Sequence, residues 1–94
     1  MPYLMVMYVD LRDDVPQADR EQMLRDVVVP KVQALPGFRS ARYSRSLDGT
    51  TGVAAVTFDS DVNAKAALDV MSTNRPPGSP PVLDTAIYEV FLEV

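Results

Sequence analysis

Cysteine and histidine are both absent from these 94 residues. Without cysteine there is no disulfide, no thiolate metal ligand and no cysteine nucleophile. Without histidine the chain lacks the commonest general base at neutral pH, the commonest zinc and haem ligand, and any histidine-dependent triad. Neither a metal nor a cofactor is therefore expected. Positive charge is also short, with 9 Lys and Arg against 13 Asp and Glu and a net charge of -4. That balance disfavours phosphate backbones and anionic membrane surfaces, so no nucleic-acid and no membrane partner is expected. Long hydrophobic runs are missing too. The apolar stretch at Tyr3 to Val9 is far too short to cross a bilayer, and it has neither the basic lead-in nor the cleavage site of a signal peptide. The chain reads as cytoplasmic.

What is present is an apolar content of 47%, enough for one globular domain over residues 1–94. A chain of this mass buries roughly 64% of its unfolded surface, which leaves a monomer viable but marginal. The stretch YLMVMYV from Tyr3 to Val9 does not alternate as a half-exposed strand should. Tyr3, Met5, Met7 and Val9 line one face while Leu4, Val6 and Tyr8 line the other, so both faces need cover.

The first strand is expected from Tyr3 to Leu11. A helix follows, starting between Pro16 and Asp19, where Asp19 and Gln22 resemble a capping box. Leu24, Val27, Val28, Val32 and Leu35 form its apolar stripe. Pro30 should kink or split it, and Pro36-Gly37 should stop it at Leu35. The next strand, Phe38 to Leu47, carries Arg39, Arg42 and Arg45 and suits a sheet edge. After the hairpin chemistry of Asp48 to Gly52, Val53 to Phe58 is apolar on both faces and belongs centrally. Asp59 or Ser60 caps a second helix with Ala64, Ala67, Leu68 and Met71 facing the core. Ser72 to Pro81 is a proline-rich connector, and Val82 to Val94 is the last strand.

This order, βαββαβ, predicts an α+β ferredoxin-like domain with a four-stranded antiparallel sheet. Right-handed crossovers place both helices on one side of that sheet. The other side is then an apolar patch, whichever face of the first strand it takes. At about 1.5–3 kcal/mol per buried Val, Leu or Met, five positions discounted by half leave roughly 4–7 kcal/mol for a second sheet to claim. An identical chain in a two-fold homodimer is the simplest partner.

With its proline-bearing first helix ending in Leu-Pro-Gly-Phe at Leu35 to Phe38, and its Phe58-Asp59-Ser60 step into an alanine-rich helix, the sequence resembles the dimeric α/β-barrel superfamily, most closely the antibiotic biosynthesis monooxygenase group. The resemblance implies two subunits packed sheet against sheet. It also implies a helix–sheet pocket for a small aromatic or polyketide-like ligand, and cofactor-independent oxidation of that ligand to a quinone. The family enzymes use an asparagine on the first strand and a tryptophan near the second helix, where this chain has Met5 to Tyr8 and no tryptophan at all. Their haem-degrading relatives use a histidine that is also missing. The alternative is a non-catalytic ligand-binding or scaffold module.

The candidate ligand-binding residues are Tyr8, Arg42, Tyr43, Phe58, Asn63 and Tyr88. The tyrosines can direct phenol groups into the pocket or simply provide packing area. Arg42, whose parity differs from that of Arg39 and Arg45, is either an anion-binding group or a solvated edge charge. Asn63 either orients a ligand carbonyl or solvates a helix. The connector with Arg75 is either a lid over the pocket mouth or a plain span.

Overall fold

The computed structural model describes residues 1–94. Its elements are β1 (Tyr3–Asp10), α1 (Gln17–Met23), a π-helical turn (Leu24–Val28), α2 (Val29–Gln33), β2 (Phe38–Arg45), β3 (Thr51–Phe58), α3 (Asp61–Thr73) and β4 (Val82–Glu89). Four strands pair antiparallel in the order β2-β3-β1-β4, the ferredoxin-like α+β arrangement expected. The arginine-bearing β2 is an edge, and the doubly apolar β1 and β3 are central. No helix is long and apolar enough to cross a membrane.

Pro30 does not split the first helical run. The backbone stays in the right-handed helical region through Val28 and Val29, and the Val29 N–H donates to the Leu24 carbonyl five residues back. A proline in an α-helix removes one donor and its ring crowds the carbonyl four residues earlier. The wider turn ahead of Pro30 absorbs that conflict without a break. The expected capping box at Asp19 is not used either, because Pro16 occupies the N-cap and no side chain caps α1. The helix stops at Gln33 rather than Leu35. The Leu35 N–H donates to the Val32 carbonyl at 3.1 Å, and Gly37 then takes φ +78°. A Cβ at Gly37 would also run into the Asp59 carboxylate and the Asn63 amide, so glycine is required there.

Tyr3, Met5, Met7 and Val9 face the helices. Met5 and Met7 join Val32, Val56, Phe58, Ala64 and Ala67 in the core, with Val28, Leu35, Phe38, Leu68 and Met71 packed around them. The short side chains of Ala64 and Ala67 let α3 approach the sheet closely. Its first turn is fixed by Ser60, whose hydroxyl accepts the Asn63 N–H at 3.1 Å.

The opposite sheet face carries Leu4, Val6 and Tyr8 beside Val53, Ala55 and Thr57 of β3 and Ala86 and Tyr88 of β4. This face is less bare than the sequence implied. Val6, flanked by Ala55 and Ala86, is only 5% exposed within a single chain. Tyr88 is 50% exposed. The last strand also stops earlier than expected, at Glu89 rather than Val94. Glu89 pairs with Tyr3, the first residue of β1, and the final backbone bond runs from the Val90 N–H to the Pro2 carbonyl. Beyond it the chain has no strand left to pair with.

Three surface carboxylates are held in their charged form. Asp10 is pulled down to about 2 by the Arg12 guanidinium, which donates to both carboxylate oxygens at 3.0 and 2.8 Å, and by the Arg12 N–H. Asp48 is pulled down to about 2 by the hydroxyls of Ser46 and Thr50, and Asp13 is lowered by Arg20. A folded pKa below the unfolded value means stability that is present above the unfolded pKa and lost as pH falls through the folded one. Thermal midpoints followed by circular dichroism should therefore hold steady down to about pH 4 and decline toward pH 2. The decline should be shallow, since all three groups face water. Asp48→Asn should flatten it further, and an unchanged slope in that variant would remove the hairpin from this account.

Candidate functional site

A cavity of about 760 Å³ lies between the helices and the sheet. Neither α1 nor the π turn contains a buried residue, so the first helical run stands off the sheet at that end. Met7, Val9, Tyr43 and Ala54 form the floor, Leu24, Val28 and Val32 one wall, and Val70 and Met71 the other. The connector after α3 closes the end with Arg75, Pro76, Ser79 and Pro80. The volume falls in the range of about 300–1,000 Å³ usual for small-molecule sites. The methionines and leucines line this space without filling it.

Two of the lining residues, Tyr43 and Arg75, carry conspicuous polar groups. The Tyr43 hydroxyl is buried and has no hydrogen-bond partner in the protein. Such an orphan costs about 1–3 kcal/mol. Burial raises its pKa, so at neutral pH it remains a phenol able to donate. Its ring also borders a smaller cavity of about 190 Å³ against Val29, Val32, Phe38 and Ala41. Arg75 is the second group. Its Nη1 lies 3.6 Å from the Met7 Sδ and its Nη2 donates to the Pro80 carbonyl. Burial lowers its pKa, and no carboxylate pairs with it.

The charged lining is inverted relative to the chain. Arg20, Arg25, Lys31, Arg45 and Arg75 border the cavity against Asp13, Glu21 and Asp48. Those carboxylates are already engaged: Asp13 pairs with Arg20 and Glu21 with Arg45, while Asp48 accepts from Ser46 and Thr50.

Of the six residues singled out in the sequence, Tyr43 alone lines the large cavity. The register aligns Arg42 with Ala55 and Val6, Tyr8 with Val53, and Tyr88 with Leu4. All three therefore lie on the helix-free face, and Tyr8 and Tyr88 do not direct their phenols into the pocket. Phe58 is wholly buried in the core, edge-on to Phe38 with ring centroids 6.5 Å apart. Asn63 donates its side-chain amide to Asp59 at 2.8 Å at the start of α3. Arg20, Glu21 and Arg45 were missed as cavity residues. Arg45 had a readable signal, since it shares the parity of Ala41 and Tyr43.

No group of three or more histidine, cysteine, aspartate or glutamate side chains is placed to hold a metal ion. The Met7 sulfur is occupied by Arg75. The cavity offers no histidine or thiolate to a haem iron.

No protein-family model matches the chain, and no curated protein matches it in sequence. Solved structures do resemble it. A monooxygenase from the gene ActVA-Orf6 of Streptomyces coelicolor, in complex with nanaomycin D, superimposes with a TM-score of 0.68 at 17% identity, covering 98% of this chain and 89% of that one. Rv0793 from Mycobacterium tuberculosis gives 0.65 at 20% identity, covering 99% and 98%. The haem degrader MhuD from Mycobacterium tuberculosis, with two haems bound in its active site, gives 0.59 at 17% identity, covering 97% and 98%. Along nearly its whole length, this chain has the ferredoxin-like fold of antibiotic biosynthesis monooxygenase-like proteins.

Proposed function

We propose that this protein binds a planar aromatic small molecule in the helix–sheet cavity and works as a homodimer through the helix-free sheet face. The observation that carries the reading is a mainly apolar cavity of about 760 Å³ lined by Tyr43, whose hydroxyl is buried beside it and has no partner in the protein. A small turn of the Tyr43 side chain would bring that hydroxyl to a ligand carbonyl or hydroxyl and satisfy it, and the apolar walls suit aromatic rings. The similarity to a monooxygenase holding nanaomycin D supports the same ligand class.

The reaction that goes with this reading is cofactor-free oxidation of an electron-rich ring. A ring CH₂ loses two hydrogens and gains one oxygen atom of O₂ as a carbonyl, and the other oxygen leaves as water. The chain's contribution would be to hold the ring and exclude water. A non-catalytic binding role is the second reading, favoured by one observation: every carboxylate at the cavity is paired or hydrogen-bonded, which leaves no free base.

Titration with a panel of anthrones and hydroxynaphthoquinones, followed by tyrosine fluorescence, tests binding. Tyr43→Phe should weaken the best ligand about 10-fold, the worth of one hydrogen bond. Because it removes an orphaned hydroxyl, the same change should raise the stability of the ligand-free protein by about 1 kcal/mol. No binding across the panel at millimolar concentration, or an affinity indifferent to Tyr43→Phe, overturns the site. Oxygen uptake above buffer with a bound anthrone separates the enzyme from the binding module.

A further inference from the structure

We infer that the cavity's ligand is an organic anion, an aromatic ring bearing a carboxylate or an acidic hydroxyl, and that Arg75 on the connector binds the acidic group. The inference rests on the cavity being a ligand site, and it adds the charge of what enters.

Three observations carry it. The chain as a whole is acidic at -4, yet the cavity is bordered by five cations and three carboxylates. The acidic residues that make the protein negative therefore lie mostly elsewhere, and the field inside favours a negative guest. Next, the three carboxylates are already bound to Arg20, Arg45, Ser46 and Thr50. They do not neutralise Arg75. Finally, Arg75 is partly buried with poor acceptors. A guanidinium offers five N–H donors, and the acceptors found here are a thioether at 3.6 Å and one backbone carbonyl. Desolvating a cation among such weak acceptors is unfavourable until an anion arrives. A carboxylate can then take two parallel N–H bonds from the same fork.

The connector holds that fork in place. Ser79 donates to the Pro76 carbonyl from both its hydroxyl, at 2.6 Å, and its N–H, at 3.1 Å, and Gly78 turns the chain at φ +83°. The Arg75 bond to the Pro80 carbonyl closes the turn across its own ends. A proline-rich turn fixed at both ends loses little freedom when a ligand docks, so the arginine is preorganised for its anion.

The test uses the full chain with two fluorescent probes of one shape, anthracene-2-carboxylate and anthracene-2-carboxamide. Wild type should bind the acid about 10-fold or more tightly than the amide, with the preference shrinking as salt rises. Arg75→Gln should bring the two affinities within about 2-fold, the acid losing far more than the amide, and Arg75→Lys should keep part of the preference. Equal binding of both probes by wild type overturns the anion and leaves the aromatic site standing. A matched loss of both probes in Arg75→Gln makes the residue a connector staple and overturns its role. Binding of neither probe overturns both readings.

Discussion

Phe58→Ala is expected to remove about 3–5 kcal/mol from the unfolding free energy. Phe58 is fully buried and is the largest such side chain, in a protein with only 10 of its 94 residues buried. The hole would not close readily. Its neighbours in the core include Ala64 and Ala67, already too short to reach into it, and Met5 and Val56, held in central strands by ladders on both sides. Phe38 would also lose its edge-to-face partner, an arrangement worth about 0.5–1.5 kcal/mol beyond area. Typical domains have about 5–15 kcal/mol in total, and one this small belongs near the lower end. The variant should therefore populate the unfolded state at 37 °C. Urea unfolding followed by circular dichroism reads this as a lower midpoint with the slope preserved. A loss below about 1 kcal/mol would mean the core is not organised around this ring.

The same ring shows what could be read from the sequence. Strand and helix order, the central place of the doubly apolar strands and the edge place of the arginine-bearing one follow from periodicity and turn residues, which are local. Phe58 is different: its position was legible, but whether its side chain pointed into a pocket or into the core depends on α3, which the alanines bring close. Arg42 and Tyr43 are adjacent and equally suggestive as residues. Their roles separate because β2 pairs with β3 in a register that turns Tyr43 and Ala54 toward the helices, and Arg42 and Ala55 away. Register is a long-range quantity, and a slip of one residue exchanges the faces. Pro30 signals a conflict in the helix, yet it does not say whether a kink, a break or a π turn resolves it. β4 ends at Glu89, short of the Val94 that its pattern predicts, because a strand's length depends on its partner and β1 begins at Tyr3.

The second large effect concerns the sheet face. In the proposed dimer, Tyr88→Glu should weaken association at least 100-fold, and so should the pair Phe91→Ser with Leu92→Ser. Leu4, Tyr8, Val53 and Tyr88 remain partly exposed on that face. Taking half of about 1.5–3 kcal/mol for each gives about 3–6 kcal/mol per chain, or about 6–12 for two. Association itself costs about 4–15 kcal/mol, so the sheet face by itself barely holds a pair together. Something else must join it. Phe91 and Leu92, 77% and 68% exposed just beyond the end of β4, are the apolar groups best placed to do so. A two-fold axis repeats each substitution on both sides of the interface. Tyr88 lies on the edge strand and is half exposed, so a glutamate there is tolerated in a single chain and becomes a desolvated charge only when two chains meet. Sedimentation velocity near 10 μM should show a dimer for the wild-type protein and a folded monomer for each variant. A wild-type monomer at that concentration would show that the shelter given to Val6 by its own sheet is already enough. A dimer unmoved by Tyr88→Glu would place the contact on some other surface.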